Sequence, residues 1–285
     1  MKVKKIGFIG AGYMGFGMAY NLLKNNYDLS VIAHKNREFI NKLIKQGATE
    51  KKSLEEIAKI NEIIIMCVTN TPIAKNIINE LLPFLSKETL IIDITTHSET
   101  GSIEINKILK TKEITYVESP VMGGPIQSQE GVLGAIVGCE LIHFNRAKEI
   151  LKNFCKEIFY FGPIGMGAKT KLVSNFLSLG TATLTIETIK IVNELGIDLR
   201  KFYEVAKLGS GNSGALNRIA DKAIKGDYKG YIFSVNNTLK DLTYIHDLLK
   251  DIPTSSKLSA LIKSIYQDAS NKGYGNLVIS ELIKK

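Results

Sequence analysis

The stretch KKIGFIGAGYMGFGMAYNLLKNN, residues 4–26, decides the fold. Its first part, KKIGFIG (4–10), is a short apolar run ending in glycine and reads as a buried strand. Its last part, GFGMAYNLLKNN (15–26), reads as a helix. Between them, Gly10-Ala11-Gly12-Tyr13-Met14-Gly15 forms a G-x-G-x-x-G. In a chain with 24 glycines that pattern alone is weak, but here strand, loop and helix are in register. The three glycines serve different purposes. Gly10 permits a tight turn, Gly12 lets the backbone approach a pyrophosphate, and Gly15 lets helix and strand pack closely. The helix then presents free N–H groups and a positive dipole end to phosphate.

Outward from this loop, β-like runs alternate with helical ones. LSVIA (29–33), EIIIMCV (62–68), TLIIDIT (89–95), ITYVESPV (114–121) and GAIVG (134–138) read as strands. REFINKLIKQGA (37–48) and PIAKNIINELLPFL (72–85) read as helices. Such alternation implies a mostly parallel sheet with helices on both faces. The pattern changes near Pro163. Residues 165–196 read as one long helix closed by Gly196, and the remainder of the chain looks helical, with loop signals at GSGNSG (209–214) and KGDYKGY (225–231). The expected architecture is therefore α/β: a doubly wound, Rossmann-type dinucleotide-binding domain over 1–163, then an all-helical domain over 164–285 for substrate and oligomerisation.

A carboxylate at the end of the second strand usually reads the ribose 2′-hydroxyl of NAD. Here the strand runs into Ala33-His34-Lys35-Asn36-Arg37, and Asp28 lies at its opposite end. A basic loop suits a 2′-phosphate, so NADP(H) is the expected cofactor, contacted by His34, Lys35, Asn36 and Arg37, with NAD(H) possible.

Composition narrows the class. The 285 residues are enough for two ordinary domains. A net charge of +9 suggests an anionic partner, but the lysines are dispersed rather than clustered with aromatics, so no nucleic-acid role is expected. No apolar run is long enough to span a bilayer. Lys2, Lys4 and Lys5 before an apolar stretch imitate a secretion signal, yet the glycines break that stretch and no small-x-small cleavage site follows. Cys67, Cys139 and Cys155 are odd in number and widely spaced, which suggests a reducing compartment, and a cytoplasmic location is expected. The four histidines lack metal-ligand spacing, so no metal is expected.

Two further segments carry chemistry. Glu118-Ser119-Pro120-Val121-Met122-Gly123-Gly124-Pro125 follows a strand, and its paired glycines expose N–H groups suited to a carboxylate; a tight turn would look the same. Lys171 and Asn175 lie four residues apart on the long helix and share a face among apolar neighbours. A lysine there either faces a cleft or reaches out to solvent.

Taken together, these pieces resemble the β-hydroxyacid dehydrogenase family, which includes 3-hydroxyisobutyrate dehydrogenases and glyoxylate/succinic semialdehyde reductases. The resemblance runs nearly end to end. It rests on GFIGAGYMGFGMAYNLL, on Asp93-Ile94-Thr95-Thr96, on SPVMGGPIQSQEGVLGAIVG, on Gly165-Met166-Gly167 followed by KLVSN (171–175), and on Lys240-Asp241-Leu242. It implies hydride transfer between nicotinamide and a small β-hydroxy acid or the corresponding aldehyde acid. Lys171 would be the general acid/base and Asn175 a substrate-orienting amide. Met122, Gly123 and Gly124 would bind the carboxylate-bearing substrate together with Lys171 and Asn175. Val68 and Thr69 would border the adenosine side of the cofactor, and Thr96 and Lys240 its nicotinamide end. The resemblance also implies homodimers or homotetramers, with the active site in an interdomain cleft.

Three positions depart from the family pattern. Met122 replaces the usual Ser or Thr, which removes one side-chain bond to substrate. Glu99 replaces a proline, and Val278 stands where many members carry Asp. Two alternatives remain. An imine reductase of the same superfamily would typically lack the lysine, and a non-catalytic NADP-binding sensor or scaffold would need neither Lys171 nor the carboxylate turn.

Overall fold

The computed structural model describes residues 4–34 and 37–285. The chain divides into two compact units, Met1–Lys171 and Leu172–Lys285. The division falls inside the long helix, a few residues beyond Pro163.

In the first unit, six strands run parallel: β1 (Lys5–Ile9), β2 (Asp28–Ile32), β3 (Thr49–Lys51), β4 (Ile63–Met66), β5 (Leu90–Asp93) and β6 (Thr115–Glu118). Their spatial order is β3-β2-β1-β4-β5-β6. This is the Rossmann order, and its direction reverses between β1 and β4, where such sheets bind ligands at their carboxyl ends. Three more strands extend the sheet beyond β6: β7 (Val121–Met122), β8 (Leu133–Gly138) and β9 (Cys155–Gly162). β8 is antiparallel to β6 and β7, and parallel to β9.

Helices α1 (Tyr13–Lys24), α2 (Glu38–Lys45), α3 (Leu54–Ile60), α4 (Thr71–Leu81), α5 (Glu99–Lys110), α6 (Pro125–Glu130) and α7 (Leu141–Leu151) connect the strands. Ile6, Phe8, Val31, Ile65 and Ile92 face a core shared with α1, while Ile9, Ile64, Met66 and Ile91 face one shared with α3 and α4. Alternate residues of the same strands thus fill opposite faces, as the two-residue side-chain period requires.

Proline sets two boundaries that apolar patterning alone places differently. The run 114–121 is expected as one strand, but the ladder breaks at Ser119-Pro120 and resumes as β7. Pro120 has no N–H to donate, although its carbonyl accepts from Ile136 N–H at 2.9 Å. The helix expected over 72–85 ends as α4 at Leu81 and tightens into a 3-10 turn, Leu82–Phe84, that contains Pro83.

Helix α8 (Met166–Glu194) leads into the second unit. It closes where the glycine signal places its end: Gly196 has φ +68°, and Ile197 N–H donates to the Val192 carbonyl at 2.9 Å. Helices α9 (Leu199–Ala206), α10 (Gly214–Ala223), α11 (Val235–Leu249) and α12 (Pro253–Ala269) follow. Leu172, Leu179, Ala182, Ile186 and Ile189 of α8 share a core with Leu242 and Ile245 of α11 and with Ile262 and Tyr266 of α12. Among the described residues, no helix is long and apolar enough to cross a membrane.

Candidate active site

The glycine loop stands at the carboxyl end of β1. Gly10 has φ +97°, and a Cβ there would lie 2.2 Å from the Cys67 carbonyl oxygen, at the end of neighbouring β4. A Cβ on Gly15 would lie 2.1 Å from the Gly10 carbonyl oxygen. Both glycines are therefore fixed by close backbone approach. Gly12 differs: nothing lies within 4 Å of where its Cβ would be. It is the N-cap of α1, with no side-chain cap and no acidic residue in the first turn. The first-turn N–H groups thus open onto a cradle that a side chain at residue 12 would fill. This fits a dinucleotide pyrophosphate.

The loop after β4 is tied to the loop after β5. Val68 N–H donates to Thr95 Oγ1 at 3.1 Å, and Thr71 Oγ1 meets His97 Nδ1 at 3.0 Å. His97 Nε2 lies 2.9 Å from Asp93 Oδ2, and Asp93 Oδ1 accepts from Thr95 N–H at 3.0 Å. Asp93 and His97 are both buried, so these bonds act in a low-dielectric setting and hold the backbone around Val68, Thr69 and Thr96.

At the end of β2, Arg37 donates through both guanidinium nitrogens to the Glu50 carboxylate of β3, at 2.9 Å each. The pair is exposed, and Arg37 holds the Glu50 carboxyl below the usual range. The fork expected for a 2′-phosphate is therefore occupied by an internal carboxylate. His34 is exposed. Lys35 and Asn36, expected in the same role, lie outside the described residues.

The turn after β7 has Gly123 at φ +117° and Gly124 extended. Gly124 N–H donates to Gln127 Oε1 at 3.0 Å. Of the two donors expected for a carboxylate, one is thus engaged by a side chain of the chain itself. The turn runs into α6, which is fastened to α1. Asn21 Nδ2 of α1 donates to the carbonyls of Gly17, Ser128 and Gln129 at 2.8–3.1 Å, and Ser128 Oγ donates to the Met14 carbonyl at 2.7 Å. Hydrogen bonds therefore join the expected substrate turn, through α6, to the helix that follows the glycine loop.

Lys171 sits in the second turn of α8, half-buried. Its Nζ donates to the Val121 carbonyl at 2.8 Å and lies 3.4 Å from Met122 Sδ. The ammonium is thus turned inward to the expected substrate turn rather than out to solvent. Met122, the departure from the family pattern, touches the lysine itself. A second departure, Glu99, is an ion-pair partner of Lys169 on α8 at 2.7 Å.

In the second unit, buried Asn175 Nδ2 donates to Asp241 Oδ2 at 2.7 Å. Lys240 Nζ lies 2.8 Å from Asp241 Oδ1, but out of hydrogen-bond alignment, so that attraction is between charges. Asn175 and Lys240 are thereby held through one carboxylate. The third departure, Val278, donates its N–H to Glu281 and pairs with Ser234 at the start of α11, the helix that carries Lys240.

Sequence patterning does not single out Glu118, the last residue of β6. Its side chain is buried, and Oε1 accepts from Gly165 and Gly167 N–H, both at 2.7 Å, at the opening of α8. Ser102 Oγ donates to its other oxygen. An acidic residue inside the apolar run ITYVESPV is the available signal, since an unpaired carboxylate does not bury itself. Asp241 and Gln127 also escape notice as partners of site residues, because such pairings are long-range or lie within one turn.

Family models cover both halves of the chain. The NAD-binding domain of 6-phosphogluconate dehydrogenase matches residues 5–162, and the NAD-binding domain of NADP-dependent 3-hydroxyisobutyrate dehydrogenase matches 165–285. Among curated relatives, 2-(hydroxymethyl)glutarate dehydrogenase of Eubacterium barkeri is 28% identical over 98% of this chain and 94% of that protein. The mitochondrial 3-hydroxyisobutyrate dehydrogenase of Drosophila melanogaster is 28% identical over 99% of this chain and 90% of that protein. Two solved structures show the same fold. A 3-hydroxyisobutyrate dehydrogenase from Salmonella typhimurium superposes with TM-score 0.90 at 22% identity, over 99% of each chain. An imine reductase from Pseudomonas sp. does so with TM-score 0.68 at 19% identity, again over 99% of each chain. The chain belongs to the β-hydroxyacid dehydrogenase family of NAD(P)-binding oxidoreductases.

Burial raises the Glu118 carboxyl above the ordinary carboxylate range, by more than the hydrogen bonds from Ser102, Gly167 and Gly165 lower it. The native state therefore holds this proton more tightly than the unfolded chain does. The contribution to stability is greatest below the unfolded-chain value and falls as pH rises through the raised one. Glu118→Gln should accordingly gain in melting temperature relative to wild type as pH rises through and above the ordinary carboxylate range, about 4. Thermal melts of both proteins across that range check this, and a gap moving the other way would contradict it.

Proposed function

We propose that this enzyme is an NADP(H)-preferring dehydrogenase/reductase acting between small β-hydroxy acids and the corresponding aldehyde acids. The observation that carries the reading is the Lys171 ammonium held at the Val121–Met122 end of the glycine turn. The names of the relatives support the substrate class, since 3-hydroxyisobutyrate and 2-(hydroxymethyl)glutarate both place a primary hydroxyl two carbons from a carboxylate.

When bound, the nicotinamide supplies or accepts the hydride. The chain's own residues position the substrate and handle the proton. Gly123 N–H offers one bond to the substrate carboxylate, and Gly124 N–H a second if Gln127 yields it. In reduction, Lys171 Nζ stabilises the negative charge developing on the carbonyl oxygen and donates one proton to it. In oxidation, the same nitrogen in its neutral form takes the hydroxyl proton. Asn175, its side chain oriented by Asp241, is the proposed substrate-orienting amide. Lys171 also argues against imine reduction, for which the fold alone would serve as well.

The preference for NADPH rests on the basic loop His34–Arg37 and the absence of a carboxylate at the end of β2. Glu50 acts against it, because Arg37 must leave that carboxylate to meet a 2′-phosphate.

A second copy of the chain is the proposed partner. On α8, Leu177, Leu184 and Ile191 are seven residues apart, and Thr181, Thr188 and, just past the helix end, Leu195 lie four residues after each. All four of the large apolar residues are exposed, between 54% and 73%. A heptad stripe of this kind on a long helix suits packing against another helix.

Three outcomes are expected. Lys171→Ala should lower kcat by roughly a hundredfold to ten-thousandfold, while cofactor affinity read by nucleotide fluorescence stays within about twofold. Turnover near wild type would remove Lys171 from the mechanism. Glu50→Gln should release Arg37 and shift the ratio of dissociation constants toward NADPH by about fivefold. An unchanged ratio in Glu50→Gln, together with an unchanged ratio in Arg37→Ala, would show that this loop does not read the phosphate. Light scattering should find a dimer or tetramer that Leu184→Glu combined with Ile191→Glu dissociates. A wild-type monomer would exclude that assembly.

A further inference from the structure

Glu118 joins three parts of the first unit that the chain separates widely. It terminates β6, where its backbone pairs with Asp93 of β5 and Gly138 of β8. Its carboxylate passes through a gap made by two glycines. A Cβ on Gly138 would lie 2.2 Å from Glu118 Oε1, and a Cβ on Gly167 would lie 3.0 Å from the same oxygen. The two glycines flank the carboxylate and admit no larger residue without a shift. Through that gap Oε1 reaches the N–H groups of Gly165 and Gly167, while Ser102 of α5 holds the other oxygen. A carboxylate at this end of a helix also meets the favourable end of its dipole.

The consequence lies one turn further along α8. Lys171 Nζ reaches back to the Val121 carbonyl, three residues after Glu118. The connections form a closed circuit: Glu118 to Gly165 and Gly167, along α8 to Lys171, across to Val121, and back along the chain to Glu118. One side of the circuit is rigid helix and another is the end of the sheet. The length of the Glu118 side chain therefore sets how far the first turn of α8 stands from the sheet, and with it where the Lys171 nitrogen falls relative to Gly123 and Gly124. The Lys169–Glu99 pair lies near the same helical turn, but it is part-exposed and correspondingly weak as a brace.

We propose that Glu118 is a positioning residue for Lys171, acting by seating the first turn of α8 on the end of β6. The proposal rests on the reading of Lys171 as the proton donor. Displacing that nitrogen by a fraction of an ångström to one ångström slows proton transfer while leaving the glycine loop, at the end of β1 with β4 and β5 between it and β6, as it was.

The test compares side chains that keep or change the length of the brace. Glu118→Gln keeps it: the amide oxygen accepts from the two glycine N–H groups and the amide nitrogen donates to Ser102. Its kcat should stay within about threefold of wild type. Glu118→Asp shortens the brace by one carbon, and kcat should fall about tenfold or more with the dissociation constant for NADPH within about twofold. Gly167→Ala, which presses on the carboxylate from the helix side, should give the same split, and it carries the test if Glu118→Asp does not fold. The deciding measurement places Glu118→Asp in a Lys171→Ala background. If Glu118 acts through Lys171, its replacement there should change the residual kcat by less than about twofold. Equal losses in the two backgrounds, wild-type kcat in both Glu118→Asp and Gly167→Ala, or kcat and NADPH affinity falling together would overturn the proposal. Undiminished turnover in Lys171→Ala alone would instead overturn the underlying reading of Lys171, so the two failures are distinguishable.

Discussion

Three backbone segments meet at the carboxyl ends of β1 and β4 at a distance no side chain tolerates. A single carbon added at residue 10 or residue 15 would sit 2.2 or 2.1 Å from a carbonyl oxygen. The rest of the first unit depends on this approach. It brings the start of α1 directly over the strand ends, with its first-turn N–H groups uncapped by any side chain. It also fixes α1 as a platform for α6, because Gly17 admits the Ser128–Gln129 backbone against the helix. The turn at Gly123–Gly124 is thus placed by the same helix that forms the glycine loop. The glycine loop and the Gly123–Gly124 turn are parts of one packed layer.

Much of this architecture is legible from residue patterns. Glycine spacing reveals the first strand, loop and helix because close approach can be met only by the residue without a side chain. Unbroken apolar runs reveal β4 and β5, because parallel strands are covered on both faces. Elements whose signals are weak stay hidden. β3 has three residues, too few for a period to show. β9 runs CKEIFYFG with most positions exposed, so burial left no pattern on it. Helix α3 is not among the expected helices, yet it opens on a local capping arrangement: Ser53 Oγ accepts from Glu56 N–H, and the Glu56 carboxylate accepts from Lys52 N–H.

The candidate site is legible as residue types but not as partnerships. Lys171 and Asn175 can be placed on one helical face, yet nothing in their spacing reveals that Val121 and Asp241 hold them. Arg37 can be picked out as a donor for an anion, yet nothing near it in the chain reveals its pairing with Glu50, thirteen residues away on a strand too short to detect. Glu118 is the clearest case. Its burial is tolerable only because two glycine N–H groups and a serine hydroxyl converge on it from residues 102, 165 and 167. Charge satisfaction of that kind belongs to the tertiary structure and has no short-range signature.

The Gly124–Gln127 bond has a kinetic meaning. A turn that already satisfies one of its own donors is content when empty, and an arriving anion exchanges partners there rather than gaining a new one. The net return from such an exchange is the small difference between two similar bonds. If the turn takes a substrate carboxylate as proposed, such an exchange gives a loose grip and a short residence, and Gln127 recovers its bond to Gly124 as the product departs.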